Sequence, residues 1–205
     1  MKTGKLVVMA SGAGSTFKAI AVAAQSGELN AEVVGLVVSR DGVGAIDYAK
    51  EFGIPYAVLS PSAFANRELW DQALADQVAK WQPDLVALAG FTLLIGPRFL
   101  ERFEMQVVNI HPSLLPKFGG QGMYGLKVHQ AVLAAGESQT GITVHYVTGE
   151  YDRGPAVAQK FVPVEKNDSA ESLAERVKDV EKEFYISVLE ELFMRKAANK
   201  PTQQH

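Results

Sequence analysis

Short apolar runs alternating with stretches of helical spacing constrain this chain more than any other feature of its 205 residues. Residues 6–10, 33–39, 56–59, 85–89 and 107–110 are apolar apart from Gly35, Ser39 and Asn109, and too short for buried helices. Strands apolar on both faces and separated by helices belong to a mostly parallel sheet covered on both sides. The intervening segments supply those helices. Residues 16–27 and 44–52 form two of them, and Asn66 caps a third whose inner face carries Trp70, Ala73, Leu74, Val78 and Trp81. Pro83 ends that helix.

The second half changes character. Gly119, Gly120, Gly122 and Gly125 mark an irregular loop, followed by a helix over about 126–135. Residues 142–147 and 157–164 read as strands with no long helix between them, which predicts an antiparallel pair. Asp168 with Glu171 three residues later reads as a capping box for a last helix ending near Arg195, and residues 197–205 read as a frayed tail. The expected fold is α/β: a Rossmann-like, mostly parallel sheet with helices on both faces and an antiparallel C-terminal strand pair. Residues 1–205 form one domain.

Composition removes several function classes. Cysteine is absent, so disulfides, thiolate catalysis and thiolate metal sites are excluded. The histidines are scattered, without a metal-ligand pair, and no metal is expected. Twenty basic against 23 acidic residues give a net charge of -3, which argues against nucleic-acid or membrane partners. No apolar run approaches the roughly 20 residues of a spanning helix. The N-terminus lacks a signal-peptide pattern, so the expected compartment is the cytoplasm. No Gly-x-Ser-x-Gly elbow is present.

Three segments can carry chemistry. Ser11-Gly12-Ala13-Gly14-Ser15-Thr16 lies between the first strand and the first helix, where glycines allow a tight turn and helix amides face an anion. The spacing lacks the third glycine of a dinucleotide fingerprint and the lysine of a P-loop, so it suits a monophosphate better. A tight turn with a serine cap explains the same residues. Asn109-Ile110-His111-Pro112 ends a buried strand, and positions two apart share a face, so both side chains emerge together. A carboxamide can donate to a developing oxyanion, and an imidazole moves protons near neutral pH. An amide and a ring closing off a turn would look alike. Asp152, in Gly149-Glu150-Tyr151-Asp152-Arg153-Gly154, would raise the His111 pKa if the two met, or be an ordinary charged turn residue. His145 shares a strand face with Thr143 and is a support or a core histidine. His129 and His205 receive no role.

The run Asn109-Ile110-His111-Pro112-Ser113-Leu114-Leu115-Pro116 resembles the signature of the folate-dependent formyltransferases. The resemblance extends from Leu6 to about Leu192. It includes Ser11-Gly12 with Gly14-Ser15, Ala89-Gly90-Phe91, and Gly141-Ile142-Thr143-Val144-His145 leading to Asp152. It implies 10-formyltetrahydrofolate as co-substrate, the amine of 5-phosphoribosylglycinamide as acceptor, and a place in purine biosynthesis. It further implies a nucleotide-binding half over about 1–109 and a folate-binding, catalytic half over about 110–195. Gly14, Ser15 and Thr16 match positions that bind the acceptor phosphate, and Glu181 matches an acidic position near its ribose. Arg67 and Thr92, Leu93, Leu94 and Ile95 match folate-binding positions, as do Asn109 and Thr148, Gly149, Glu150, Tyr151 and Asp152. Asn109 and His111 match the catalytic pair, with Asp152 tuning a protonated His111.

Three residues depart from the family pattern. Thr16 stands where asparagine is common, Leu93 where some members have arginine, and Gln121 where lysine is frequent. Leu115–Pro116 is a candidate cis bond. Monomer and homodimer both stay open. A hydrolase releasing formate from the same folate usually carries an extra N-terminal domain. A methionyl-tRNA formyltransferase carries a C-terminal barrel and an arginine-rich loop after the Pro116 position. A non-catalytic Rossmann-like binding protein would not need Asn109, His111 and Asp152 together.

Overall fold

The computed structural model describes residues 4–198. Their strands are β1 (Gly4–Ala10), β2 (Ala31–Val38), β3 (Tyr56–Val58), β4 (Leu85–Leu88), β5 (Val107–His111), β6 (Gln139–Tyr146) and β7 (Ala156–Pro163). They form a single sheet in the order β3-β2-β1-β4-β5-β6-β7. The pairs from β3 through β5 are parallel and β6–β7 is antiparallel, as the sequence predicts, and β5–β6 is antiparallel as well. Of the expected frayed tail at 197–205, residues 197 and 198 instead continue the last helix, and 199–205, with His205, lie outside the described residues.

Alternation along β1 divides the core in two. Leu6, Val8 and Ala10 face α1 (Ser15–Ser26), α2 (Gly44–Glu51) and α6 (Ala170–Ala198), where Phe17, Ile20, Leu173, Tyr185 and Leu189 are buried. Val7 and Met9 face α3 (Arg67–Lys80) and α4 (Pro97–Arg102), with Trp70, Leu74, Val78, Phe99 and Phe103. Both faces of the strand are thus removed from water, which is why its sequence is continuously apolar. Two polar atoms tie helices to the sheet. The Trp70 indole donates to the Leu59 carbonyl at 2.9 Å, and the Tyr185 hydroxyl reaches the carbonyls of Leu88 and Val108 at 3.1 and 3.2 Å. Tyr185 therefore ties α6 to two neighbouring strands, one of which carries Asn109 and His111.

Two local expectations change. Asn66 caps α3 as expected, accepting from the Leu69 amide at 2.9 Å. The inner face of α3, however, buries Asp71 rather than Ala73 or Trp81, both partly exposed. The Asp71 carboxylate accepts from the amides of Gly96 and Arg98 at 3.0 and 2.9 Å, and so caps the start of α4. A Cβ on Gly96 would lie 2.4 Å from that carboxylate, so the approach requires glycine. The cap of α6 also differs. Ser169 and Ser172 exchange the reciprocal bonds, at 3.0 and 3.2 Å, in place of Asp168 and Glu171. Asp168 is drawn instead to Arg176, at 2.6 and 2.7 Å, because a bidentate guanidinium pair is stronger than one cap bond. That pair holds its carboxyl well below the usual carboxylate range.

Candidate active site

The carboxyl ends of β1, β4 and β5 open on one side of the sheet, where connections from β1 and β4 run in opposite directions. Ligands of open α/β sheets bind at such a place. Gly14 takes the left-handed conformation (φ 77°), and a Cβ there would lie 2.6 Å from the Ala45 Cα. Only glycine meets both conditions. No side chain caps α1 after it, so the first amides of that helix are left for an anion. The Thr16 hydroxyl donates to Glu181 of α6 at 3.2 Å, which assigns a use to the threonine that departs from the family pattern. Ser11 joins three strand ends. Its hydroxyl accepts from Ser39 at 2.8 Å and from the Thr92 amide at 3.2 Å, fixing where residues 92–95 begin.

Asn109 and His111 emerge from β5 side by side, with His145 and Thr143 opposite them on β6. The His145 Nδ1 lies 2.9 Å from the Tyr146 carbonyl and must donate to it. Its Nε2 lies 3.2 Å from the Asn109 amide nitrogen and 3.5 Å from an Asp152 oxygen. The contact with Asn109 fixes the carboxamide orientation and leaves its second hydrogen for a ligand. Thr143, fully buried, donates to the Ser113 carbonyl at 2.7 Å and accepts from the Leu115 amide at 3.0 Å, clamping the segment after His111. Leu115–Pro116 is cis.

The hairpin between β6 and β7 returns Asp152 to the pair. One of its oxygens lies 3.5 Å from the His111 Nδ1, the other 3.5 Å from the His145 Nε2. The same residue accepts from the Gly120 amide at 2.9 Å, and the His111 Nε2 donates to the Phe118 carbonyl at 2.8 Å. The glycine-rich loop thus touches both catalytic candidates through its backbone.

Burial pushes the His111 imidazole below its ordinary value. The Asp152 carboxylate and the Phe118 carbonyl push it back up, and His145 adds a smaller push down. The upward pull of Asp152 expected from the sequence is present, but desolvation of a ring only 4% exposed exceeds it. The sequence reading expects the pull of Asp152 to prevail, whereas burial outweighs it in the free protein. For Asp152 the balance is reversed. Burial is the largest single influence and raises its pKa, yet His145, His111 and the Gly120 amide together hold the carboxyl below its usual range. Burial pushes Glu181 up, partly offset by Thr16, Lys178 and Lys182.

These groups border a cavity of about 650 Å³, within the range of small-molecule sites. Ser15, Thr16 and Glu181 lie along it with Asn109, His111, His145 and Asp152, and so do Thr92, Leu93, Leu94, Ile95, Thr148, Glu150 and Tyr151. Gly14 sits behind Ser15 as its turn. Arg67 and Gly149 border an adjoining outer cleft with Arg153 and Gln121. The Arg67 guanidinium lies over the Trp70 ring at 4.1 Å and donates to the Leu94 carbonyl. Sequence reasoning missed Ser11, Asp71 and Thr143 as supports, and His129 as part of the cavity wall. Among the described residues, no group of side chains is placed to hold a metal ion, and no helix is long and apolar enough to cross a membrane.

Comparison with known proteins agrees with this geometry. A phosphoribosylglycinamide formyltransferase, chloroplastic, from Vigna unguiculata is 43% identical over 188 residues, 92% of this chain and 60% of that protein. The phosphoribosylglycinamide formyltransferase of Bacillus subtilis (strain 168) is 35% identical over 188 residues, 92% of this chain and 94% of its own. The chain therefore spans less than two thirds of the plant relative and nearly all of the bacterial one. A crystal structure of phosphoribosylglycinamide formyltransferase from Bacillus halodurans has a TM-score of 0.88 at 32% identity, covering 98% of this chain and 100% of that one. Residues 4–189 match the family model described as formyl transferase, and this chain belongs to that family.

Proposed function

We propose that this protein, acting in the cytoplasm, transfers the formyl group of 10-formyltetrahydrofolate to the amine of 5-phosphoribosylglycinamide. The products are formylglycinamide ribonucleotide and tetrahydrofolate, in purine biosynthesis. The observation that carries this reading is the convergence of Asn109, His111 and Asp152 on one cavity. At one end lies the uncapped helix start at Ser15, suited to the acceptor phosphate, with Glu181 near its ribose. At the other end lie Thr92 to Ile95 and Thr148 to Asp152, suited to the folate, with Arg67 and Gly149 beyond them. Turnover of 10-formyl-folate followed by absorbance, with and without the ribonucleotide, tests it. Dependence on the ribonucleotide is expected; equal turnover without it would assign a hydrolase.

The acceptor amine attacks the formyl carbon, leaving a positive charge on that nitrogen and a negative charge on the former carbonyl oxygen. The free hydrogen of the Asn109 amide stabilises that oxygen, a contribution of about 3 kcal/mol for such a donor. With its Nε2 donating to the Phe118 carbonyl, His111 accepts at Nδ1, directly or through a water, the proton the amine must lose. The resulting imidazolium is stabilised by Asp152 and by the adjacent oxyanion. It then donates the proton to the folate nitrogen as the carbon–nitrogen bond breaks. Holding both substrates in one cavity supplies much of the remaining acceleration. None of these steps calls on a metal.

Because the Asp152 charge raises the His111 pKa, Asp152→Asn moves it further down. The limb of the kcat profile that reports His111 should shift to lower pH while kcat falls. A profile that stays in place contradicts the assigned role of Asp152.

A further inference from the structure

The mechanism makes no use of His129, although its ring borders the same cavity. It lies on α5 (Leu126–Ala134), which packs against α6, and is 4% exposed. Its Nδ1 is enclosed with no hydrogen-bond partner. An enclosed polar atom without a partner weakens a fold, and native proteins rarely keep one without a use. The neighbouring inward positions of α5 are Val128 and Val132, so an apolar side chain would serve packing at least as well. Burial and the nearby His111 both hold the His129 ring below its ordinary pKa, so it carries one proton at pH 7. With Nδ1 enclosed and unpartnered, that proton belongs on Nε2, and the ring offers a donor to the cavity.

What the donor meets follows from its surroundings. The cavity wall from α6 consists of Ala174, Val177, Lys178 and Glu181, on the side of Thr16 and the uncapped α1 start. The folate-side segments 92–95 and 148–152 come from other elements. We propose that His129 is a positioning residue for the acceptor ribonucleotide, donating a hydrogen bond to an oxygen of its ribosyl-glycinamide portion. This rests on the proposed transfer reaction and adds a residue to its acceptor side.

The test compares wild type with His129→Leu and His129→Gln. The leucine variant should raise the KM for the ribonucleotide about tenfold, the equivalent of roughly 1.4 kcal/mol, and leave the KM for the folate within about twofold. Its Tm should equal or exceed that of wild type, because an orphaned nitrogen is removed. The glutamine variant, which restores an N–H donor, should recover most of the acceptor KM. Calorimetric titration of the ribonucleotide alone should show the same weakening without reference to turnover. A leucine variant with lower Tm and unchanged KM values would identify a purely structural histidine and overturn the proposal, as would a rise in the folate KM alone. If both proteins bind the ribonucleotide equally, only this inference falls. If wild type neither binds it nor turns over, the transfer reaction falls with it.

Discussion

Alanine in place of His111 lowers kcat by on the order of 10³-fold and leaves ribonucleotide affinity within about twofold. The ring is 4% exposed, borders the cavity, and lies 3.5 Å from the Asp152 carboxylate. Its proposed role is to take a proton from the attacking amine and return it to the folate nitrogen. No neighbour replaces it: the His145 Nδ1 is committed to the Tyr146 carbonyl and its Nε2 to Asn109. The proposed phosphate site lies elsewhere, at the start of α1, so affinity is expected to survive. Asn109→Ala removes one oxyanion donor and should cost about 10²-fold or more in kcat. Parallel thermal melts separate chemistry from folding. A His111→Ala protein that is folded and retains wild-type kcat would remove the mechanism.

Gly154→Ala is expected to lower both stability and turnover, although residue 154 contributes no side chain to the site. A Cβ at this position would lie 1.8 Å from the Tyr146 carbonyl oxygen, the same oxygen that orients His145. Backbone cannot yield as a flexible side chain can, so the hairpin must move. The expected cost is about 1–3 kcal/mol, as for other overpacked sites. Asp152, two residues earlier, is held in the left-handed region at φ 55° and moves with the hairpin. A displacement of about 1 Å at a catalytic group lowers turnover about 10²-fold. Gly149→Ala, in the same hairpin but with open space around its added methyl, should leave the Tm within about 1 °C. Equal Tm and equal kcat for Gly154→Ala and wild type would show that the hairpin does not position Asp152.

The strands and the candidate pair Asn109 and His111 were legible because their information is local. Continuous apolarity marks strands buried on both faces, and a spacing of two places Asn109 and His111 on one side of β5. Asp152 was legible as a candidate but not as a neighbour. Its approach to His111 depends on the antiparallel return of β6 and β7, which brings together residues 41 positions apart in the chain. Asp71 and His129 were hidden for a related reason. A polar residue on the inner face of a helix breaks the apolar periodicity, and only the tertiary fold reveals Gly96 beside one and a cavity beside the other. The cap of α6 was misassigned because Asp168 satisfies the sequence rule while Arg176, about two turns further on, competes for its carboxylate. The direction of the His111 shift needed magnitudes rather than neighbours. Sequence identifies the carboxylate that raises its pKa, whereas the larger downward push comes from burial in the assembled site.

The most direct test of the account is label transfer. Folate carrying a ¹³C-formyl group is mixed with the protein and 5-phosphoribosylglycinamide, and the ribonucleotide is followed by mass spectrometry and ¹³C NMR. The account predicts that the label appears as an amide carbon on the ribonucleotide, one per folate consumed, and that His111→Ala slows its appearance on the order of 10³-fold. Label recovered as free formate, with the ribonucleotide unchanged, would contradict it.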